Sequence, residues 1–337
     1  MSGAQPPASQ VELRVLKDRD IADAVALFNR ASRAAYGTDG MSEREFRLFL
    51  ESPTVDPHRD VRVAIAPDGA LIGYTDLYDQ NALHTRFWFD LKVDPERGTP
   101  EVVQALIAWM EARAQDAAEE SAFLRGFVAS VDEAVKVGLE HAGYALIRHS
   151  FRMLIDLDGE PARPQWPPGI DVRTMTPGEE RDVYEVDDEC FSDHWEHVRE
   201  PYEEWEHWTV KRDGFDPALW FLAWDRERAQ IAGYALCEPH DAEPDMGFVH
   251  HLGVRRPWRR RGLALALLHH VFAEFQRRGF RRVGLGVDAE NLTGAVHLYE
   301  RAGMRVVRRF DAYEKRLAGR LRSQDRAVAS GASPSQV

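Results

Sequence analysis

The 337-residue sequence contains only two cysteines, Cys190 and Cys237, which lie far apart and have no CxxC-type partners. It therefore predicts neither a disulfide framework nor a zinc site, and no metal cofactor is expected. No apolar run approaches the ~20 residues that a membrane helix needs. The first ten residues are polar and lack the apolar core of a secretory signal. We therefore expect a cytoplasmic protein without a membrane partner.

Basic charge is also in short supply, with 43 Lys and Arg residues against 56 Asp and Glu residues and a formal net charge of −13. Because affinity for nucleic acid depends on Lys and Arg side chains that face phosphates, no general nucleic-acid partner is expected. The arginines that are present cluster at 255–261, 277–282 and 305–309. The chain is long enough, and apolar enough at 44% hydrophobic residues, to form two domains.

One basic turn is the most informative segment of the sequence. It follows a strand pattern that ends at Val254 and precedes a strongly apolar helix pattern. Backbone N–H groups at a helix N-terminus, the helix dipole and nearby guanidinium groups all favour a bound phosphate. Gly262 has no side chain and Ala264 adds little bulk, so an anion can approach closely. The alternative is an ordinary basic surface loop in front of a helix.

The spacing Arg259-x-x-Gly262-x-Ala264 resembles the pyrophosphate motif of the GCN5-related N-acetyltransferases, the GNAT superfamily. A second GNAT signature is similar to the segment that begins at Asn291 and contains Tyr299 on a short helix. The resemblance covers residues from about 170 to 317. It implies acetyl-CoA as co-substrate and an α+β fold, with a central mixed, mostly antiparallel twisted sheet flanked by helices.

The sequence contains this pattern twice. Gly73 and Gly233 each lie in a short apolar strand and are 160 residues apart, and other short matches recur at the same or nearly the same offset. We therefore predict two tandem GNAT-like domains, at 11–155 and 170–317. A proline-containing linker is predicted at 156–169, and disordered tails are predicted at 1–10 and 318–337.

The first copy lacks the features that would hold pyrophosphate. Pro100 removes a backbone donor near the helix start, and Glu96 and Glu101 would repel the anion. Leu139 stands where the second copy has Tyr299. We therefore predict that the first domain binds no acetyl-CoA and is either structural or forms one wall of the acceptor site.

The resemblance implies a role for each matching residue of the second copy. Tyr299 would be the general acid, since a phenol with a pKa near 10 stays protonated at neutral pH. The alternative is a core tyrosine. Arg260 stands where this turn commonly carries a glycine, so a positive φ there would be strained. The residues expected to bind acetyl-CoA are Leu252, Val254, Arg259, Arg260, Arg261, Gly262, Leu263, Ala264 and Asn291.

The general base is left open between several candidates. His250 alternates onto the same strand face as Leu252 and Val254, and a neutral imidazole accepts a proton near neutral pH. A bulge in the strand would bring the adjacent His251 to the cleft instead. Water or another residue is the third alternative.

Acceptor binding is expected in the segment 182–210, where acidic and aromatic residues alternate in a way that suits a cationic amine. Asp193 and Trp195 are the predicted substrate-binding residues; the alternative is two amphipathic helices whose acids face solvent. The sequence thus predicts an N-acetyltransferase that modifies the primary amine of a small molecule, such as a cationic amine or an amino-sugar derivative. The tandem layout is similar to that of the mycothiol synthase branch of the superfamily. A non-catalytic acyl-CoA sensor is the other functional class, and both a monomer and a homodimer fit.

Overall fold

The computed structural model describes residues 11–79, 84–118, 121–193, 195, 197–290 and 294–318. The N-terminal half contains β1 (Glu12–Arg14), α1 (Ile21–Tyr36), α2 (Glu43–Leu50), α3 (Pro57–Asp60), β2 (Val61–Ile65), β3 (Leu71–Asp76), β4 (Tyr78–Asp79), β5 (Arg86–Phe89), β6 (Leu91–Val93), α4 (Pro100–Ala117), β7 (Ala122–Ala129), α5 (Glu133–His141) and β8 (Ala145–Asp156). The C-terminal half contains β9 (Ile170–Thr174), α6 (Glu180–Phe191), α7 (Tyr202–Thr209), β10 (Trp220–Asp225), β11 (Gln230–Pro239), β12 (Met246–Val254), α8 (Leu263–Arg277), β13 (Arg282–Asp288), α9 (Ala295–Arg301) and β14 (Arg305–Leu317).

Helix α8 shows how the sequence sets local structure. It begins after Gly262, which has a left-handed φ of 82°. The helix ends just before Gly279, which has a φ of 90°. Its buried face repeats at three- and four-residue steps, as in Leu267, Val271 and Phe275, so the helix packs on the sheet along one apolar stripe. Within the described ranges, no helix combines the length and apolar character needed to cross a membrane.

The strands form a mixed, mostly antiparallel α+β fold, as the sequence predicts. A four-stranded sheet has the order β1-β2-β3-β6, and a ten-stranded sheet has the order β4-β5-β7-β14-β8-β13-β12-β11-β10-β9. Two pairs, β5 with β7 and β12 with β13, are parallel. Each belongs to a different half, so the same mixed arrangement occurs twice.

The two halves also repeat in strand register. Gly73 lies opposite Val93 in the N-terminal half, and Gly233 lies opposite Val254 in the C-terminal half. No helix or strand occurs between β8 and β9, and all of that connection is described. The register therefore supports the internal repeat found in the sequence.

The two halves exchange their last strands. Strand β14 lies between β7 and β8, and β8 lies between β14 and β13, so one sheet is continuous across both halves. Met153 of β8 is fully buried in the core of the C-terminal half. Tyr313 and Leu317 of β14 are buried in the core of the N-terminal half. The order of the strands along the chain does not reveal this exchange, because a strand has the same hydrophobic pattern whichever of the two cores it packs into.

The exchange predicts that the two halves unfold together. Met153 lies in the N-terminal half of the sequence, but its side chain packs in the core of the C-terminal half. Met153→Ala should lower the free energy of unfolding by about 2–5 kcal/mol. Urea unfolding followed by near-UV circular dichroism and by hydrogen exchange in both cores should show one common transition, shifted to lower urea. Leu146→Ala, at a 46% exposed site on the same strand, should change stability by less than about 0.5 kcal/mol. Separate transitions for the two cores would contradict the account.

Candidate functional site

Strand β12 separates from its parallel neighbour and leaves an opening in the sheet. Its pairing with β13 ends at Val249 and Leu285, although both strands continue beyond those residues. The N–H of Arg255 donates to the carbonyl of Ala232 on β11 at 3.0 Å. Since donors alternate along an antiparallel strand, the N–H groups of Leu252 and Val254 face away from β11, toward the opening. Two backbone donors on this side can stabilise a developing oxyanion.

The turn before α8 leaves room for an anion beside these donors. Gly262 is exposed, and a Cβ built on it would meet no atom within 4 Å. The first N–H groups of an α-helix have no partner within the helix, so those of Leu263 and Ala264 are available as donors. Arg260 and Arg261 are also exposed at this turn. These residues fit a pyrophosphate group.

The buried carboxylate of Asp225 hydrogen-bonds to the turn and fixes its position. The indole N–H of Trp258, which is 3% exposed, donates to Asp225 at 2.8 Å. Asp225 also accepts the backbone N–H groups of Glu227 and Arg228 at 2.9 and 3.0 Å. The bond from the Arg228 backbone is the largest cause of a lowered pKa at Asp225. Charge and hydrogen bonds therefore fix the start of the basic segment.

Arg260 has a positive φ of 62°, as its place at the usual glycine position suggested. A left-handed conformation costs a residue with a side chain roughly 1–2 kcal/mol. The side chain is exposed, so this cost is one of backbone geometry and not of packing.

Arg259 and Asp193 contact each other at the same turn. Arg259 donates to the carbonyl of Val254 at 2.9 Å and to Asp193 at 2.6 Å. Asp193 also contacts Arg256. The predicted acceptor residue thus lies against the predicted pyrophosphate residue.

The indole ring of Trp195 is contacted by two guanidinium groups. The guanidinium carbons of Arg125 and Arg148 lie 4.1 and 4.4 Å from the ring centroid. Trp195 is 42% exposed and joins the segment after α6 to strands of the other half. Its predicted contact with the acceptor stays a prediction.

Tyr299 packs with the residues of the opening. It is 8% exposed and belongs to one apolar cluster with Leu252, Val254 and Leu263. Burial raises the pKa of Tyr299 to about 12, so the phenol keeps its proton at neutral pH. Asn291, the remaining predicted contact, lies outside the described residues.

A β-bulge in β12 determines how its two histidines are placed. His251 lies opposite Leu236, and Val249 lies opposite the next residue of β11, so His250 is the extra residue of the bulge. The side chain of His250 is 44% exposed and contacts Glu238. Burial would raise the pKa of Glu238, but the bonds from His250 and Arg212 outweigh it and lower the pKa.

His251 forms a buried pair with Asp187. Its Nδ1 lies 2.9 Å from both carboxylate oxygens of Asp187. The hydroxyl of Tyr234 and the indole N–H of Trp205 donate to the same carboxylate at 2.6 and 3.0 Å. Burial opposes both charges, but Asp187 raises the pKa of His251, and His251 with the two donors lowers the pKa of Asp187. Both pKa shifts therefore favour the charged pair.

Both histidines line a cavity of about 670 Å³ between the two halves, here called the central cavity. Its wall is aromatic and acidic, with Arg212 as the one arginine among its lining residues. The N-terminal half contributes Phe28, Met41, Glu45, Phe46, Leu48, Phe49, Tyr74, Asp76, Tyr78, Trp88, Phe89, Asp90 and Phe127. The C-terminal half contributes Glu200, Trp205, Trp208, Thr209, Arg212, Trp220, Leu236, Cys237, Glu238, His250 and His251.

The corresponding turn of the N-terminal half is closed by its own side chain. Asp94, which is 6% exposed, accepts the backbone N–H groups of Glu96 and Arg97 at 3.0 and 3.1 Å. Its other oxygen accepts from Arg30 at 2.9 Å. The carboxylate of Asp94 thus orders the backbone at the start of this turn, and Pro100 has no N–H to offer an anion.

Sequence reasoning missed two acidic residues near the cavity. Asp187 was one of many acids in the segment 182–210, and nothing in its spacing marks it as the partner of His251. Glu200 lies in the connection between α6 and α7, where no periodic pattern predicts which side chains turn inward. Only the fold brings these residues to β12.

The chain is similar to known acetyltransferases. The profile of the acetyltransferase (GNAT) family matches residues 181–304. A mycothiol acetyltransferase from Geodermatophilus obscurus is 32% identical over 288 residues, which cover 83% of this chain and 89% of that protein. A solved GCN5-related N-acetyltransferase from Sphaerobacter thermophilus is 31% identical with a TM-score of 0.77, over 92% of this chain and 97% of that one. A tandem GNAT protein from the clavulanic acid biosynthesis pathway shares the fold, with a TM-score of 0.73 and 16% identity over 91% of this chain and 98% of that one.

Asp187→Asn should lower the pKa of His251, measured by NMR titration of its imidazole ring, because the charge that favours the imidazolium is removed. The stability that the wild-type pair provides is lost below the pKa of Asp187 and again as pH rises through the folded-state pKa of His251. The free energy of unfolding of the variant should therefore be lower by about 2 kcal/mol, most clearly between about pH 4 and 6.5. This is less than for a fully buried pair, since a third of the His251 side chain is exposed.

Asp188→Asn is the matched control, because Asp188 lies on the same helix and pairs with His197. It should leave the titration of His251 unchanged. An unchanged titration of His251 in Asp187→Asn would contradict the assignment.

Proposed function

This chain belongs to the GNAT acetyltransferase family, and on that premise we propose that its C-terminal half transfers an acetyl group from acetyl-CoA to the primary amine of a small molecule bound in the central cavity. The observation that carries the proposal is the course of β12. His250 and His251 line the cavity, and the N–H groups of Leu252 and Val254 face the opening a few residues later. At ~3.3 Å per residue, the cavity and the opening lie within about 10 Å along the strand.

Acetyl-CoA supplies the thioester from which the acetyl group leaves. The N–H groups of Leu252 and Val254 would hold the thioester carbonyl, and those of Leu263 and Ala264 would hold the pyrophosphate with Arg259, Arg260 and Arg261. Arg259 would exchange its contact with Asp193 for the phosphate. The N-terminal half has Pro100, Glu96 and Glu101 around the corresponding turn, which supports a single site in the chain.

Tyr299 is the proposed general acid for the departing thiolate. It belongs to the apolar cluster against which Leu252 and Val254 pack, and its phenol keeps its proton at neutral pH. Among the residues that the structure describes, none hydrogen-bonds to this hydroxyl. The proton is therefore not committed to an internal partner.

The acceptor is proposed to be a cationic amine. The cavity wall has five carboxyl groups. Burial raises the pKa of Asp76 to about 8, so this group adds little negative charge at neutral pH, whereas Glu45, Asp90 and Glu238 favour positive charge. The aromatic rings between them can contact an ammonium group. The relatives that are named mycothiol acetyltransferases make the amine precursor of mycothiol the first acceptor to test, followed by polyamines and amino sugars. Asp193 and Trp195 do not line the central cavity, and their role in binding the acceptor stays a prediction.

Titration calorimetry with acetyl-CoA should show one site per chain. Gly262→Glu should abolish binding, because it places a negatively charged side chain where pyrophosphate would lie. The left-handed backbone at this position is also unfavourable for any residue with a side chain. Thr99→Glu is the matched control: Thr99 is the exposed residue that precedes α4, the corresponding helix of the N-terminal half. It should leave stoichiometry and affinity unchanged.

The same variants should be compared for release of CoA in the presence of the acceptor panel. Tyr299→Phe should lower kcat by about 10²–10⁴-fold and leave acetyl-CoA affinity within about twofold. Two sites per chain, or loss of binding in Thr99→Glu, would overturn the single-site proposal. Full activity of Tyr299→Phe would remove the tyrosine from the reaction.

A further inference from the structure

Glu200 has an unusual position in the wall of the central cavity. It is half-buried, in the connection between α6 and α7, and its backbone is fixed by the Tyr184 hydroxyl, which donates to the Glu200 carbonyl at 2.5 Å. Among the residues that the structure describes, none hydrogen-bonds to the Glu200 carboxyl group or pairs with it. The carboxyl group lies in the cavity wall and is therefore available to a ligand that enters the cavity.

A second carboxylate lies behind Glu200. Glu204, 2% exposed, accepts hydrogen bonds at one oxygen from Ser52, Tyr78 and Trp208, at 2.7, 3.1 and 2.7 Å. Its other oxygen is buried and has no partner within the described part of the chain. Burial and then the charge of Glu204 raise the pKa of Glu200 to about 7. The carboxyl group can therefore both accept and release a proton near neutral pH.

The two histidines of the cavity already have carboxylate partners. Asp187 raises the pKa of His251, so the imidazole tends to hold its own proton. His250 contacts Glu238, which in turn contacts Arg212. Among the described residues, the Glu200 carboxyl group has no such partner.

We propose that Glu200 is the catalytic residue that binds the ammonium group of the acceptor and accepts its proton. This assignment rests on the proposed function and deepens it, since it places the reacting amine in the part of the central cavity that is lined by Glu200 and His251. The acceptor enters as R–NH3⁺, and Glu200 takes one proton. The nitrogen lone pair then forms the C–N bond as the C–S bond of the thioester breaks.

The protons balance in the following way. A second proton leaves the nitrogen for water, so the amide keeps one N–H. The leaving sulfur takes a proton from Tyr299, which is restored from water. Glu200 releases its proton to solvent after the amide departs, and each turnover yields one free proton with the amide and CoA.

Several charged groups share this part of the cavity and shape its pH dependence. They lie on different elements packed against Glu200: Tyr78, Asp187, Glu204 and His251. Those farther along the wall are Glu45, Asp76, Asp90, Arg212, Glu238 and His250. A variant of one group must therefore be compared with a variant of a neighbouring residue that leaves all of these groups in place.

The test is acetyl transfer by the full chain, with the acceptor of highest activity, from pH 5.5 to 9. Wild-type kcat/KM should fall as pH drops through about 7. Glu200→Gln should lower kcat by about 10²–10⁴-fold and remove this acid limb, with acetyl-CoA affinity by calorimetry within twofold. Glu203→Gln, at an exposed residue of α7, should retain the wild-type rate and pH profile.

A further variant separates the chemistry from folding. Glu200→Ala should regain part of its activity when formate is added, because formate can occupy the vacated space and accept the proton. Glu200→Gln with a wild-type rate and pH profile would overturn the proposal, as would loss of the acid limb in His250→Ala but not in Glu200→Gln. If the wild-type chain binds acetyl-CoA but acetylates no amine of the panel, it is the proposed function that fails, not the assignment of Glu200 alone.

Discussion

The pairing of β8 with β14 is the interaction on which the rest of the structure depends. Each strand belongs by sequence to one half and packs its side chains into the core of the other, as Met153 and Tyr313 do. The two halves therefore share one sheet and cannot move apart without breaking that pairing. Because the central cavity is walled by both halves, its shape depends on the same strands. The N-terminal half is therefore required to build the central cavity, whether or not it binds a co-substrate of its own.

Strand β12 contributes to both the central cavity and the opening beside β13. Its first residues pair with β13 on one side, and after Val249 the strands diverge and leave donors facing the opening. The bulge at His250 changes which side chains reach the cavity before the regular alternation resumes at His251. The equivalent strand of the N-terminal half is interrupted at Asp90 between β5 and β6. In the turn that follows, Asp94 accepts the backbone N–H groups of Glu96 and Arg97, and the absence of co-substrate binding there stays a prediction.

Much of the fold could be predicted from the sequence, because it depends on local patterns. The apolar stripe of α8 and the glycine before it are set by neighbours along the chain, and the repeat between Gly73 and Gly233 is visible because each copy has the same short local pattern. The sequence raised a positive φ at Arg260 only as a condition, and the structure shows that it occurs. Contacts between distant residues did not, since Asp187 reaches His251, and Glu204 reaches Ser52, only through the packing of α6 and α7 against the sheet. The exchange of β8 and β14 has no local signal at all.

The central claim is that the co-substrate contacts one half and the acceptor contacts both. Hydrogen exchange measured by mass spectrometry, with CoA alone and then with a bisubstrate analogue that joins CoA to an amine acceptor, tests it most directly. CoA alone should protect residues 252–265 and leave the turn at 94–101 unchanged. The bisubstrate analogue should add protection in α2 and at 84–90 of the N-terminal half, and around Glu200. Protection of 94–101 by CoA, or no added protection in the N-terminal half, would contradict the account.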